Sequence, residues 1–310
     1  MYCGASLRDG RAVSLKIFRN NLKCVESGLG EYRMHVRIRS DRIEQHHSIV
    51  TAIECFYTRG RLVIASELLG SSLLAHYTYL ETIGCRVEYY NVETIRIISA
   101  QMLDALHFLH DIGITHCDVK TANICIADAK ARQFKLIDFN AAVLEHDVHT
   151  SYQQSRWYRA PEVMLGCVWG AKVDIWSLGC VLAELLLGYV PFRFPSMELV
   201  LAAQRASLGP FPHWMLFLPL ARMFLTPSGV AYEIDPQHMP PGAYSLAGMP
   251  DASLAAQLKA RVDTGAFDGV EAFLGSLLTL DPNERPTAAE AIQHEWIMPH
   301  VGRNPWTATV

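Results

Sequence analysis

The sequence predicts an α+β chain of two lobes, a small β-rich one at the N-terminal side and a large helical one after it. Short, apolar, β-branched runs at 12–18 (Ala-Val-Ser-Leu-Lys-Ile-Phe) and 61–66 (Arg-Leu-Val-Ile-Ala-Ser) read as strands. A helix fits between them, over Gly30 to Ile38. From 93 onward the apolar spacing becomes helical, with Ile95, Ile98, Met102, Leu106 and Leu109 on one face and Gly113 ending the run. The stretch from Ile175 to Leu187 is apolar nearly all round in spite of Glu184, which marks a helix buried inside a domain.

The remaining elements follow from punctuation and bulk composition. Residues 226–253 are rich in Pro, Gly, Ser and Ala and read as an irregular insertion, followed by helices at about 253–260, 268–279 and 287–293. No internal repeat is present. The chain has 310 residues, half of them apolar, enough for one large domain or two lobes sharing an interface. Twenty-seven basic residues against 31 acidic ones give a net charge of −4, too balanced for a nucleic-acid binder or a polybasic membrane anchor. Eight cysteines lie scattered with no C-x-x-C pair, so reduced thiols inside the cell, in cytoplasm or nucleus, are expected rather than disulfides. The polar start, Met1 to Arg11, carries no secretory leader, and the apolar runs at 175–187 and 214–225 are too short to span a bilayer. A soluble protein is expected.

Two segments carry the chemistry: Ile114-Thr115-His116-Cys117-Asp118-Val119-Lys120-Thr121-Ala122-Asn123 and Lys135-Leu136-Ile137-Asp138-Phe139-Asn140. A metaphosphate-like transition state needs alignment and charge neutralisation, so carboxylate and amide oxygens must converge on metal-bound phosphates. These segments resemble the catalytic loop and metal-binding signature of protein kinases. The resemblance implies ATP and Mg²⁺, with Asp118 as the base for the substrate hydroxyl and Asn123 and Asp138 as metal ligands. Lys120, two residues after the base, is the cation that Ser/Thr kinases use, so a Ser or Thr acceptor on a protein substrate is implied.

Further segments extend the resemblance over nearly the whole chain. Val13-Ser14-Leu15-Lys16 fits V-A-I-K, making Lys16 the phosphate lysine and Glu31 its helix partner; Glu26 and Glu44 fit the helix less well. Ala160-Pro161-Glu162 matches the end of an activation segment, and Asp174-Ile175-Trp176-Ser177-Leu178-Gly179 opens the helix that anchors the catalytic loop. Arg285, in Asp281-Pro282-Asn283-Glu284-Arg285-Pro286, falls where kinases pair an Arg with that Glu, which implies a buried Glu162–Arg285 ion pair. Ser66 falls at the gatekeeper position, and Glu67-Leu68-Leu69 resembles the hinge whose backbone binds adenine. A kinase domain over 1–297 follows, with a partial N-lobe at 1–66, a hinge at 67–70, a C-lobe at 71–297 and a short tail at 298–310.

His-Cys-Asp in place of His-Arg-Asp, together with the segment Tyr152 to Glu162, resembles the CMGC group and especially its DYRK family. There a phosphorylated tyrosine is read by arginines four and seven residues onward, here Tyr152, Arg156 and Arg159, the two charges of the phosphate ordering the segment. Thr150-Ser151-Tyr152 also has the T-x-Y shape of mitogen-activated kinases. Ser155 corresponds to the residue that bonds the catalytic Asp and lines the substrate site.

The pattern is broken at four places. Only fifteen residues precede Lys16, and no glycine-rich phosphate loop is among them. Tyr2-Cys3-Gly4-Ala5 and Asp9-Gly10-Arg11 read as the tail of a second strand and a turn, so the sequence begins inside the domain or the enzyme grips ATP under an open roof. Asn140 replaces the Gly of D-F-G, Ser14 the Ala over adenine, and Cys117 the catalytic-loop Arg. Asn tolerates left-handed backbone better than other non-glycine residues. A pseudokinase or scaffold is the alternative that these departures motivate. Against it stand Asp118, Lys120, Asn123 and Asp138, all retained.

Overall fold

Four strands, β1 (Tyr2–Ala5), β2 (Ala12–Ile17), β3 (Ala52–Thr58) and β4 (Arg61–Glu67), form one antiparallel sheet in the order β1-β2-β4-β3. The structure is a computed structural model that describes residues 2–5, 10–40, 46–147, 153–225, 253–261 and 269–298. Residues 62–65 of the central β4 are buried, in keeping with their unbroken apolar run. Glu67, assigned from sequence to the hinge, closes this strand opposite Val13. The strand β3 was not predicted, because an edge strand with Ile53 and Tyr57 exposed lacks a clear period of two.

The helix between the strands, α1 (Leu22–Ser40), starts eight residues before the predicted Gly30. Gly28 misleads the sequence reading, since a glycine there suggests a turn. In the fold it is the point where α1 rests on the sheet: a Cβ at Gly28 would lie 2.7 Å from Leu62 Cδ2 and 3.0 Å from the Phe18 ring. The glycine thus sets a close approach of helix to sheet rather than ending the helix.

After β4 come two helices absent from the sequence reading, α2 (Leu73–Thr82) and α3 (Arg86–Tyr89), then the predicted α4 (Val92–Asp111). Asn91 caps α4 by accepting the Thr94 amide, and Gly113 ends the run at φ +74°. The catalytic-loop segment lies among four short strands, β5 (Ile114–Thr115), β6 (Ile124–Asp128), β7 (Gln133–Leu136) and β8 (Val143–Leu144), paired β5 with β8 and β6 with β7. The chain continues through α5 (Pro161–Met164), α6 (Lys172–Leu187), α7 (Met197–Leu208), α8 (Ala221–Phe224), α9 (Leu254–Arg261), α10 (Val270–Leu277) and α11 (Ala288–Ala291). The apolar run at 214–225 is a short 3-10 turn followed by α8. Most of the predicted insertion, 226–252, and of the tail, 299–310, lies outside the described residues.

The core is built around α6, buried from Val173 to Leu187 as its sequence requires. At Gly179 a Cβ would meet Leu278 at 2.9 Å, so α6 and the end of α10 pack in near backbone contact. Among the described residues no helix is long and apolar enough to cross a membrane. All eight cysteines are free thiols.

The implied ion pair is present. Arg285 Nη1 and Nη2 donate to Glu162 at 2.6 and 3.0 Å, both side chains fully buried. Two further donors are used, Nε on Thr279 O at 3.1 Å and Nη1 on Lys172 O at 3.0 Å, with the guanidinium over the Trp176 ring. A buried pair satisfied in this way costs little, but removing one partner strands a charge in the core. Glu162→Ala is therefore expected to destabilise the fold by about 3–5 kcal/mol in urea unfolding, and adding Arg285→Met to recover part of the loss.

Candidate active site

The loop from His116 to Asn123 is positioned by Asp174, at the first turn of α6. Its carboxylate is fully buried and accepts the amides of His116 and Cys117, both at 2.8 Å, and lies 3.0 Å from His110 Nε2. Cys117 has φ +60°, a conformation that costs a residue with a Cβ on the order of 1–2 kcal/mol, and the bonds to Asp174 offset it. Burial pushes the Cys117 thiol far up, with Asp174 and Asp118 adding to it, so it packs as an apolar group.

That anchoring presents Asp118. Its Oδ1 accepts Ser155 Oγ at 2.6 Å, and its Oδ2 accepts Lys120 Nζ at 2.7 Å and Asn123 Nδ2 at 2.8 Å. Lys120 also reaches Ser155 Oγ at 3.0 Å, so the loop and the later segment that carries Ser155 are tied together around one carboxylate. With Nδ2 spent on Asp118, no hydrogen bond among the described residues takes the Oδ1 of Asn123. Asn123 and Asp138 thus offer an amide oxygen and a carboxylate, the hard donors that suit Mg²⁺.

Across the cleft, Lys16 on β2 bonds Glu31 at 2.7 and 2.9 Å and Asp138 at 2.7 Å. Burial lowers the lysine pKa, but the two carboxylates outweigh it and hold Lys16 above its ordinary value. Burial raises Asp138, yet Lys16 keeps it below the usual carboxylate range, so both stay ionised at neutral pH. The cleft they border, about 250 Å³, is lined also by Ser14, Ser66, Leu69 and Cys125. Ser14 and Ser66 face each other across β2 and β4. Glu67 also lines the cleft, its carboxylate clamped by Lys135 at 2.7 Å and by the Thr51 amide at 2.7 Å. Of the hinge segment, the Leu69 amide has no backbone partner among the described residues.

Two further residues of α1, Ser27 and His35, act with Glu31, and sequence reasoning missed them. Ser27, Glu31 and His35 are spaced i, i+4, i+8, one face of the helix, and meet Asn140, Asp138 and Phe139 in that order. The Ser27 hydroxyl donates to Asn140 Oδ1, so the residue replacing glycine has gained a partner on the helix. Phe139 stands between His35 and His116, ring centroids 5.1 and 5.0 Å away and both edge-on. Burial, with Lys16 adding to it, brings His35 down to about 4, so its ring is neutral. The i+4 spacing was visible, but only the fold shows what that face meets.

Arg156 and Arg159, expected together to read Tyr152, lie in different surroundings. Arg156 is exposed and donates to Pro195 O, while Arg159 is buried and donates to Gln154 O at 2.8 Å. Thr150 and Tyr152 lie outside the described residues. Gln154, which no motif singled out, sits at φ +68°, its side chain bonded to Val173 O, Ser177 Oγ and the Ala160 amide.

The Ser27–Asn140 bond makes a specific expectation. Ser27→Ala and Asn140→Gly should each speed hydrogen exchange of the amides near Ser27 about fivefold, the effect of one net hydrogen bond. Because the two side chains share one bond, the double variant should exchange no faster than either single one. Unchanged exchange in both would show that the contact holds nothing.

Comparison with known proteins agrees with this arrangement. The protein kinase domain family matches residues 2–297. The chain is 29% identical over 93% of its length to the DYRK-family kinase pom1 of Schizosaccharomyces pombe, and 30% identical over 96% to the human dual specificity tyrosine-phosphorylation-regulated kinase 4. It spans 25% and 54% of the length of these two relatives. The crystal structure of the PF14_0431 kinase domain superposes with a TM-score of 0.81 at 27% identity, covering 95% of this chain and 90% of that one. Relatives bearing the DYRK name accord with the resemblance drawn from the sequence, and with a family match running from the first strand to the last helix, this chain belongs to the protein kinase family.

Proposed function

We propose that this protein is an ATP-dependent serine/threonine kinase of DYRK type that phosphorylates proteins. The single observation that carries the reading is the convergence on Asp118 of Lys120, Asn123 and Ser155 while Lys16 is already paired to Glu31 and Asp138. A kinase needs both halves in register at once. The scaffold alternative gains no support here, since the departures at Ser14 and Asn140 leave every one of these contacts made.

The roles follow from chemistry and reach. A substrate hydroxyl seated beside Asp118 gives its proton to that carboxylate as its oxygen attacks the γ-phosphorus and the bond from that phosphorus to the β,γ-bridging oxygen breaks, ADP leaving. Lys120, 2.7 Å from Asp118 and 3.0 Å from Ser155, carries its charge to the incoming phosphoryl oxygens. Lys16 orients the α- and β-phosphates, held on its strand by Glu31. Asn123 and Asp138 would hold Mg²⁺, which supplies the Lewis acidity that neutralises developing charge. Ser14 and Ser66 border the adenine, and the Leu69 backbone meets its edge. Tyr152 is the proposed site of tyrosine autophosphorylation, read by Arg156 and Arg159. The free thiols support an intracellular location, in cytoplasm or nucleus.

A preference for proline after the acceptor is supported by Gln154. Its carbonyl, turned by the positive φ, is already bonded to Arg159, so a substrate amide at the next position finds no acceptor there. Proline has no N–H to lose.

Mass spectrometry after incubation with Mg²⁺-ATP and a basic generic acceptor tests the main reading. Phosphate is expected on the acceptor and on Tyr152, falling about 10²–10⁴-fold in Asp118→Asn, the usual size of a general-base contribution. Equal labelling of wild type and variant would sink it. For the second reading, Ser-Pro peptides should exceed matched Ser-Ala peptides in kcat/KM by about tenfold, the effect of one amide left unbonded.

A further inference from the structure

Beside Asp118 a groove of about 770 Å³ runs between Lys120–Ala122, Ser155–Tyr158 and Gly188–Arg193. Its charges are unbalanced. Arg156, Arg159 and Arg193 line it together with Lys120, which is paired to Asp118, whereas the one carboxylate among the described residues of its wall, Glu184, is 4% exposed. Glu184 is moreover committed, accepting Tyr158 Oη at 2.7 Å and Thr121 Oγ1 at 3.3 Å. Burial pushes it up to about 7 although Arg193 draws it down, so near neutrality it offsets only part of the positive field.

Arg193 is set apart by how it is held. Its guanidinium lies 5.0 Å from the centroid of the Trp157 ring, and the indole is itself fixed by donating Nε1–H to Phe194 O at 3.0 Å. The side chain is exposed and makes no ion pair among the described residues. Contact with an aromatic face restrains the guanidinium, and none of its N–H groups is spent on a hydrogen bond among the described residues, a condition that favours holding an anion with little further loss of freedom. Arg156 adds a second exposed cation on the same wall.

Resting on the kinase reading above, we infer that this groove selects acidic substrates: an anionic side chain near the acceptor is held by Arg193 on its Trp157 platform. Arg193 is then a specificity-determining residue. Asp and Glu are the ordinary occupants, and a phosphorylated residue presents the same oxygens with more charge.

A positional peptide library around one Ser-Pro acceptor tests this, each position filled in turn by Ala, Asp, Glu, phosphoserine and Lys. With wild-type protein, one position should gain about tenfold in kcat/KM from an acid over Ala; a larger gain for phosphoserine than for Asp would identify a phosphoryl group as the preferred anion. Arg193→Ala should cut the gain at that position to about twofold. Arg193→Glu, an exposed change whose folding circular dichroism can verify, should favour Lys there instead. Transfer without acid preference at any position, or a preference that survives Arg193→Glu, overturns the inference while leaving the kinase reading intact. Absence of transfer to every peptide overturns both.

Discussion

One buried carboxylate sets the geometry on which the site depends. Asp174 has no solvent around it, and its two oxygens are used by two consecutive amides of the catalytic loop and by His110. A charge in that position is tolerated because donors surround it, and in return they are fixed in space. The left-handed turn at Cys117 follows, since without it the two amides would not point at one side chain. So does the placement of Asp118, the next residue. Because Asp174 belongs to α6, buried from Val173 to Leu187, the reactive loop inherits the rigidity of the core rather than the mobility of a surface connection.

The opposite wall is governed by one face of α1. Ser27, Glu31 and His35 meet the 138–140 segment as a neutral hydrogen bond, an ion pair through Lys16 and a ring contact. Each is modest alone. Together they require that the helix and the metal-binding turn move as a unit, and they explain how Asn140 is accommodated. At Asp138 the backbone is already left-handed, φ +66°, so the residue after Phe139 lies close enough to α1 for a side chain to find a partner. Glycine would supply freedom at this point; asparagine supplies a contact.

What was legible in the sequence was chemistry with fixed local spacing. Asp118, Lys120 and Asn123 lie on one tight loop, and Asp138 directly precedes Phe139 in a second, so their types and intervals announce the site. The anchoring pairs Lys16–Glu31 and Glu162–Arg285 could be named by resemblance because each partner sits in a motif of its own. Buried elements were legible too: α4 and α6 have periodicities that leave little choice. The helix start at Leu22, the edge strand β3 and α2 were not. Gly28 looks like a turn signal unless one knows that Leu62 and Phe18 press on it, and β3 is held by its ladder to β4 rather than by its own pattern.

The sequence by itself therefore determined the reacting groups, the family and the two-lobed plan, because these reside in short-range order and hydrophobic period. Tertiary structure decided which side chains share a partner: Ser27 with Asn140, Glu67 with Lys135, Arg159 with Gln154, Arg193 with Trp157. These residues lie from 5 to 113 positions apart. No local propensity encodes such meetings; they arise only when the packing of apolar faces has brought the elements together, and burial and charge then select among the polar groups that find themselves in reach.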